Sequence, residues 1–542
     1  MIVKVLCHFP VGELRFATRN IQDDVPTGLI ENVGNWENRV IAISTLSRNI
    51  GEDKSYEISG ISIELIDTDR FFRNMMSASD RYIAGKLVEL FTEDGQLIYT
   101  GTVEKWQFTE DAFVLYINDK LSGLDIMIAS QITSETFPNM AEEADGQSIP
   151  IIYGEVHADT GAVKCWRVDS YTVSELIEGV PTDVSKGIFL AAGHYCKSID
   201  AVFDKDGNEM DLDDFDILEE GTFGSLDSRT LLKFTGTGEF VPESIAANVK
   251  GKMNNEYILI EDPIDVIKDI IDDYTLMDYN ELGLNSAKVI MVDREYKMTA
   301  VIDKQQSLKD ILVDFCFSFD CDFYISKGNE IMITMLKWSE MIPVKSFIES
   351  QVVGFQLDEL PEEIRNKVQY QYRYNFAAET YKKIPIYTKD SSVLNWGEFY
   401  NRNEPLNLKF LSDDDSAFDV VQRYVIQHKN PRRIANVDIP LSEFVGLDIS
   451  DIIEIQHPWA ININKRKYQI RRVNIDFVTE IVQVEAVDIT TMTGGVFILA
   501  DKLKLPDTWE EALSDDQRNY GYLADSDTGY FSNTVDYGKV LY

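Results

Sequence analysis

Cysteine is scarce in this chain. The 542 residues contain five, Cys7, Cys165, Cys196, Cys316 and Cys321, an odd number with no Cys-x-x-Cys pair. A disulfide framework is therefore not the organising device, and assembly in a reducing compartment is expected. Long apolar runs are also missing: no stretch reaches the roughly 18 residues a membrane-spanning helix needs, so no membrane anchor is expected. Residues 1–20 alternate apolar and polar from Met1 onward, without an apolar block behind a basic start, so a standard secretion signal is not expected either. Histidine is rare, at five, and none of His8, His157, His194, His428 and His457 forms a His-x-x-x-His pair. His194 and Cys196, with Cys165, offer at most three zinc ligands where four are needed, so buried thiols are the better expectation. There is no Gly-x-Ser-x-Gly elbow, phosphate loop or dinucleotide fingerprint, and no catalytic residue, metal or cofactor is expected. Bases are few: 51 Lys and Arg stand against 92 Asp and Glu, a net charge of −41. Such a chain does not attract nucleic-acid phosphates.

Apolar material is plentiful. Hydrophobic residues make up 44% of the chain, enough for several cores, and the length suggests about three to five domains. The patterns divide it into a β region at 1–130, a β-rich region at 131–250, an α+β region at 251–350, a β region with one helix at 351–500, and a C-terminal arm at 501–542. In the first, Ile58–Ile66 alternates as one strand, with Ile58, Gly60, Ser62 and Glu64 on one face and Ile61, Ile63 and Leu65 on the other, and Leu87–Phe91 and Gln96–Tyr99 flank a turn at Asp94-Gly95. Thr102–Phe108 and Ala112–Ile117 read as a further pair. Ile151-Ile152-Tyr153 begins a strand directly after Pro150.

The third region carries the helical signals. Asp262 caps and Pro263 opens a helix with Ile264, Ile267, Ile270, Ile271 and Tyr274 on one face. Ser307 caps a second, bearing Leu308, Ile311, Leu312 and Phe315. In the fourth region Val368, Tyr370, Tyr372 and Tyr374 alternate with polar residues as a half-buried strand. A helix capped by Asp415 or Ser416 runs up to Pro431, and strands follow at Ile452–Gln456, Tyr468–Phe477 and Glu480–Val487.

Charge is uneven. Residues 201–220 hold nine acids and one base, a pattern of a solvated face, and the turn Asp204–Asn208 lacks the glycine and glutamate positions of a calcium loop. Lys465, Arg466, Lys467, Arg471 and Arg472 put five bases within eight residues. They read as a solvated hairpin tip or as a docking point for an acidic neighbour, including another copy of the chain. In the arm, Leu505, Trp509 and Tyr520 are the large side chains expected to anchor on a partner. Paired carboxylates such as Asp413-Asp414-Asp415 could serve a carbohydrate-active enzyme, phage-borne or secreted, but in a chain with 92 acids solvated loops explain them. A β-rich surface-binding protein is the other alternative.

Taken in order, the hairpin-rich start with Asp69-Arg70-Phe71 and the Asp94-Gly95 turn, the string Ile149–Gly154, the helix from Asp262-Pro263, the strand Asn366–Tyr370, the helix near 416–429 and the strands from Asp451 resemble the tail hub or tail-tip proteins of tailed bacteriophages. In one departure, Ser450-Asp451 stands where relatives often carry Gly-Asp before a strand. The resemblance implies a mainly β, multidomain fold with a few α-helices (α+β), built of tube-like β domains and small β-barrel domains. It implies a non-enzymatic ring subunit, a trimer, at the distal end of a tail tube, in the virion after assembly in the host cytoplasm. The implied partners are further copies, the tail-tube or distal tail protein, tape-measure protein, spike or fibre proteins, and DNA that passes without specific binding.

Overall fold

A computed structural model describes residues 2–490 except 20, 23–34, 78–81, 157–161, 219–228, 338–340, 402–403 and 457–465, together with 520–522 and 539–541. The chain is mainly β, with three large sheets, several small ones and a few helices.

The first sheet has nine strands. At its centre Val3–Phe9 pairs antiparallel with Leu87–Thr92, which continues through the Asp94-Gly95 turn into Leu97–Phe108 and then Ala112–Asn118. Gly95 has φ 80°, the left-handed conformation that such a turn needs and glycine adopts without strain. Ile61, Ile63 and Leu65 face inward as their period-two spacing requires. The short helix Phe71–Met76 closes this layer, with Phe72 stacked on Phe113 at 4.6 Å between ring centroids.

The second large sheet runs, edge to edge, Glu209–Met210, Cys196–Phe203, Ser244–Lys252, Val163–Ile177, Val180–Ala192, Thr230–Phe234, Phe215–Leu218. Its two edge strands are joined by residues 211–214 alone. Four residues reach at most about 14 Å, whereas seven flat strands would separate their edges by about 29 Å. The sheet must therefore curl until its edges approach, as an incomplete barrel with its own apolar cluster around Phe189, Leu232 and Phe234.

The third sheet is built from Lys345–Ile348, Ile452–Gln456, Arg466–Asp476, Ile481–Asp488, Arg432–Pro440 and Gly354–Leu360. In chain order, helices Pro263–Tyr274, Glu281–Asp293 and Leu308–Phe319 come between the second and third sheets. Asp262 accepts from the amides of Ile264 and Asp265, and Ser307 from that of Asp310, so both expected caps are in place. The helix Asp414–His428 starts earlier than its expected cap: Asp413, not Asp415 or Ser416, accepts from the Ser416 amide. A small sheet centred on Lys367–Asn375 lies against it, with Tyr372 donating to Asp414 at 2.7 Å and Tyr387 set edge-on to Phe418.

Candidate functional site

One hairpin leaves the first region altogether. Leu46–Ile50 and Tyr56–Ile58 pair with each other, and Leu46–Ile50 adds antiparallel to Arg466–Asp476 of the third sheet, with Leu46 opposite Ile475 and Asn49 opposite Arg472. Its turn, Gly51 to Ser55, is held by a backbone bond from Gly51 N to Ser55 O at 2.8 Å and by Asp53 accepting from the Ser55 amide. The turn carries Lys54 into a different part of the chain, where its side chain is 16% exposed, and sets the exposed Glu52 at the mouth of the same place.

What they meet is a set of alternating charges. Lys54 Nζ lies 3.2 Å from Asp322 and 3.6 Å from Asp320. Asp322 also accepts from Arg471, and Asp320 from Arg423 at 3.2 Å and Gln427 at 3.1 Å. Glu52 pairs with Arg432, which reaches Glu363 at 3.3 Å, and His428 lies 3.9 Å from Glu52. Four carboxylates thus face four permanent cations, and the group is neutral as a whole. Beside it, buried Arg48 spans Tyr56 at 3.0 Å, Asp448 and the carbonyl of Ile325. Burial alone would raise the Asp322 carboxyl; Arg471 and Lys54 overcome it and hold it at about 2. Two clefts adjoin these groups, one of about 60 Å³ lined by Lys54, Asp320, Asp322 and Arg471, and one of about 450 Å³ lined by Glu52, Glu363 and His428. Every carboxylate there is already neutralised, so what this arrangement can do is join segments. It ties the hairpin, the end of helix Leu308–Phe319, helix Asp414–His428 and the third sheet into one body.

A second junction forms around the Ile149–Gly154 string. Ile151–Tyr153 pairs with Ala300–Ile302, and Tyr153 is fully buried with its hydroxyl 2.6 Å from Asp269 of helix Pro263–Tyr274. Asp269 also receives Lys252 of the second sheet at 2.6 Å. Gly154 donates to Ile260 O, and Gly251 donates to Gly154 O. A Cβ on Gly154 would sit 2.1 Å from the Met298 carbonyl oxygen, which is why this position must be glycine.

Several expected site residues are placed elsewhere than a docking surface. Arg466 is 4% exposed and pairs with Asp488; Arg471 is 8% exposed and belongs to the ionic junction. Both lie on a central strand covered on its two sides, so neither offers a charge to a neighbour. Lys467 donates to Met341 O at 2.7 Å, and only Arg472 of the described bases is exposed. Lys465, Leu505 and Trp509 lie outside the described residues; Tyr520 lies on Tyr520–Tyr522, paired with Lys539–Leu541. His194 is a structural residue: its Nε2 accepts from the Ile152 amide at 2.8 Å and its Nδ1 faces Tyr195 O at 3.0 Å. Among the described residues no group of three or more His, Cys, Asp and Glu side chains is set to hold a metal ion, and no helix is long and apolar enough to cross a membrane.

Ser450 has φ 70°, so the tight turn is made by a serine in the left-handed region. Its hydroxyl meets Thr334 at 2.7 Å and Gln469 at 2.9 Å, contacts that glycine could not make and that offset the backbone strain. Next to it, burial, with the Asp448 charge adding to it, raises the Asp451 carboxyl to about 6 despite the hydrogen bond from the Asp448 amide. A carboxyl raised in the fold lowers stability above pH 6, and stability returns as pH falls from about 6 towards the ordinary value of 3.8. His194, lowered by burial to about 4, works the other way: its contribution is present above pH 6.5 and lost as pH falls to 4. Asp451→Asn should therefore stabilise the protein by about 2 kcal/mol at pH 7.5 and lose that advantage by pH 4. Urea unfolding across this range checks it; an equal effect at both pH values would show that Asp451 does not titrate this way.

The fold and its junctions define a class: a multi-sheet, mainly β protein whose buried charge clusters serve to hold β regions together. No protein-family model matches the chain, and no curated protein matches it by sequence. Solved structures similar to it include tail proteins. A tail protein from Neisseria meningitidis MC58 is 7% identical, with 91% of this chain and 98% of that one covered, at a TM-score of 0.40. The 43 kDa tail protein of prophage MuSo2 from Shewanella oneidensis is 8% identical over 90% and 99%, at 0.38. Prophage tail protein gp18 from Listeria monocytogenes EGD-e is 11% identical over 63% and 95%, at 0.26.

Proposed function

We propose that this chain is a structural subunit of a bacteriophage tail, a hub or tail-tip protein that forms a ring at the distal end of the tail tube. The observation that carries the reading is the inserted hairpin. A subunit that offers two β regions to one ring needs them in fixed relation, and Leu46–Ile58 supplies this twice over. It adds a strand to the third sheet, and it buries Arg48 and Lys54 against Asp448, Asp320 and Asp322. The order of segments along the sequence, from the Asp94-Gly95 hairpin to the strands after Asp451, supports the same reading. The regions 1–130 and 351–500 are then the two tube-like units, 131–250 and 251–350 lie between them, and 501–542 is an arm towards a neighbour.

Three copies would give a six-fold tube six such units, which favours a trimer closed by rotational symmetry. A net charge of −41 per chain suits a wall past which DNA slides: acids repel phosphates, whereas bases would hold them through released counterions. Tail-tube, tape-measure and spike or fibre proteins are the neighbours this placement requires. Immunogold labelling of purified particles with antibody against the chain tests it. Label at the tail end distal to the head is expected; label on the capsid, or none on intact particles, would overturn the reading.

A further inference from the structure

We propose that the helix Asp390–Trp396 is a contact knob that docks on a second copy of this chain, at its acidic turn 206–216. The inference rests on the ring reading above and names the surfaces that would make it. Leu394 is 86% exposed and Trp396 47% exposed on this one short helix, with exposed Ile386 on the strand leading into it. Large apolar side chains placed this openly, and Trp above all, are what interface centres are made of.

The knob is held rigid from beneath. Asn366 is fully buried; its side chain donates to Ser392 at 3.1 Å and to Gly397 O at 2.7 Å and accepts from the Phe399 amide at 2.9 Å. Ser392 in turn donates to Lys429 O, and Trp396 donates to Asn430 at 3.3 Å. A preorganised contact loses little freedom on binding.

Two cations flank the knob. Lys389 stands at the start of the helix, where the macrodipole disfavours a positive charge, and Lys429 lies beside it. Burial, then the Lys389 charge, holds the Lys429 ammonium below its ordinary range. Among the described residues neither makes an ion pair. An acidic partner would relieve both.

This chain is itself that partner. Asp206, Glu209, Asp211, Asp213 and Asp216 are exposed along the segment that joins the edges of the curled sheet, with Ile217, 37% exposed, as an apolar contact among them. None of these acids makes an ion pair among the described residues. Knob and acidic turn lie on different sheets, so each copy would present one to the copy ahead and the other to the copy behind. Such a head-to-tail contact gives a ring when the rotation between successive copies closes, as the ring reading requires.

Sedimentation velocity of the full chain at micromolar concentration tests this. Leu394→Asp with Trp396→Ala, and separately Lys389→Glu with Lys429→Glu, should each weaken self-association roughly a hundredfold and leave the chain folded, as read by circular dichroism. Asp211→Lys, Asp213→Lys and Asp216→Lys together should do the same. A chain carrying both charge reversals should recover association, which a misfolded variant could not. A wild-type chain that stays monomeric, variants that associate as the wild type does, or a combined reversal that fails to recover would each overturn the contact. Those results would leave the tail placement standing, because immunogold label at the tail tip is independent of which surface joins the copies.

Discussion

Asp322→Ala should cost the folded protein about 3–5 kcal/mol, because it removes a buried carboxylate that two cations share. Lys54 comes from the inserted hairpin and Arg471 from the third sheet, and both reach Asp322. Without it Lys54 keeps only Asp320 at 3.6 Å, and that carboxylate is already taken by Arg423. The loss therefore lies in stranded positive charge more than in the missing attraction. The combined change Asp322→Leu with Arg471→Met should recover much of it, since a buried pair replaced by apolar groups of similar size is often neutral. The effect should also be local. Amide exchange in Leu46–Ile50 should accelerate in Asp322→Ala, because that strand is the one Lys54 secures. Urea unfolding and hydrogen exchange read both consequences; unchanged protection of Leu46–Ile50 would mean that backbone pairing alone holds the hairpin.

Gly154→Ala should be nearly as damaging, at about 3 kcal/mol or more, the sum of left-handed backbone strain and a clash with fixed main chain. Gly154 has φ 69°, and its added Cβ would meet Met298 O at 2.1 Å and the Met298 carbonyl carbon at 3.1 Å. These are backbone atoms, so no side chain can swing away. Gly146 separates the two terms: its φ is 78°, but nothing lies within 4 Å of its Cβ position. Gly146→Ala should cost only about 1 kcal/mol, the strain term alone. Equal thermal shifts for the two variants would show that the approach to Met298 relaxes freely.

The residues that could be read directly were those whose signals are local. Alternation placed Ile61–Ile66 and Lys367–Asn375, although the strand expected from Ile58 breaks at Ser59-Gly60 and Ile58 belongs to the inserted hairpin; Asp262 and Ser307 marked helix starts, because a cap acts within three residues of itself. Gly154 was visible as part of a string, though the carbonyl that demands glycine lies far away at Met298. The helix Glu281–Asp293 escaped notice: Leu284, Ala287, Ile290 and Met291 face inward, but Leu282, Val289 and Val292 are exposed and blur the stripe. The inserted hairpin could not be read, since its partner strand begins at Arg466, more than four hundred positions later, and pairing at that distance leaves no local periodicity.

The basic run misled for a related reason. Five bases in eight residues suggest solvent, yet Arg466 and Arg471 sit on a central strand and are neutralised from elsewhere. One clue was present: Asp320 and Asp322 interrupt the otherwise apolar Phe319–Ile325 stretch. An acid inside an apolar strand needs a buried cation, and Arg471 is one of those it found.

Electron cryo-microscopy of the tail tip in intact particles tests the central claim most directly. The account predicts a closed ring of this chain, with three copies, at the end of the tube, in which the sheets containing Val3–Phe9 and Arg466–Asp476 both line the channel and their inner wall is acidic or neutral. A tail tip without this chain, or a ring of it whose channel is lined mainly by lysine and arginine, would contradict it.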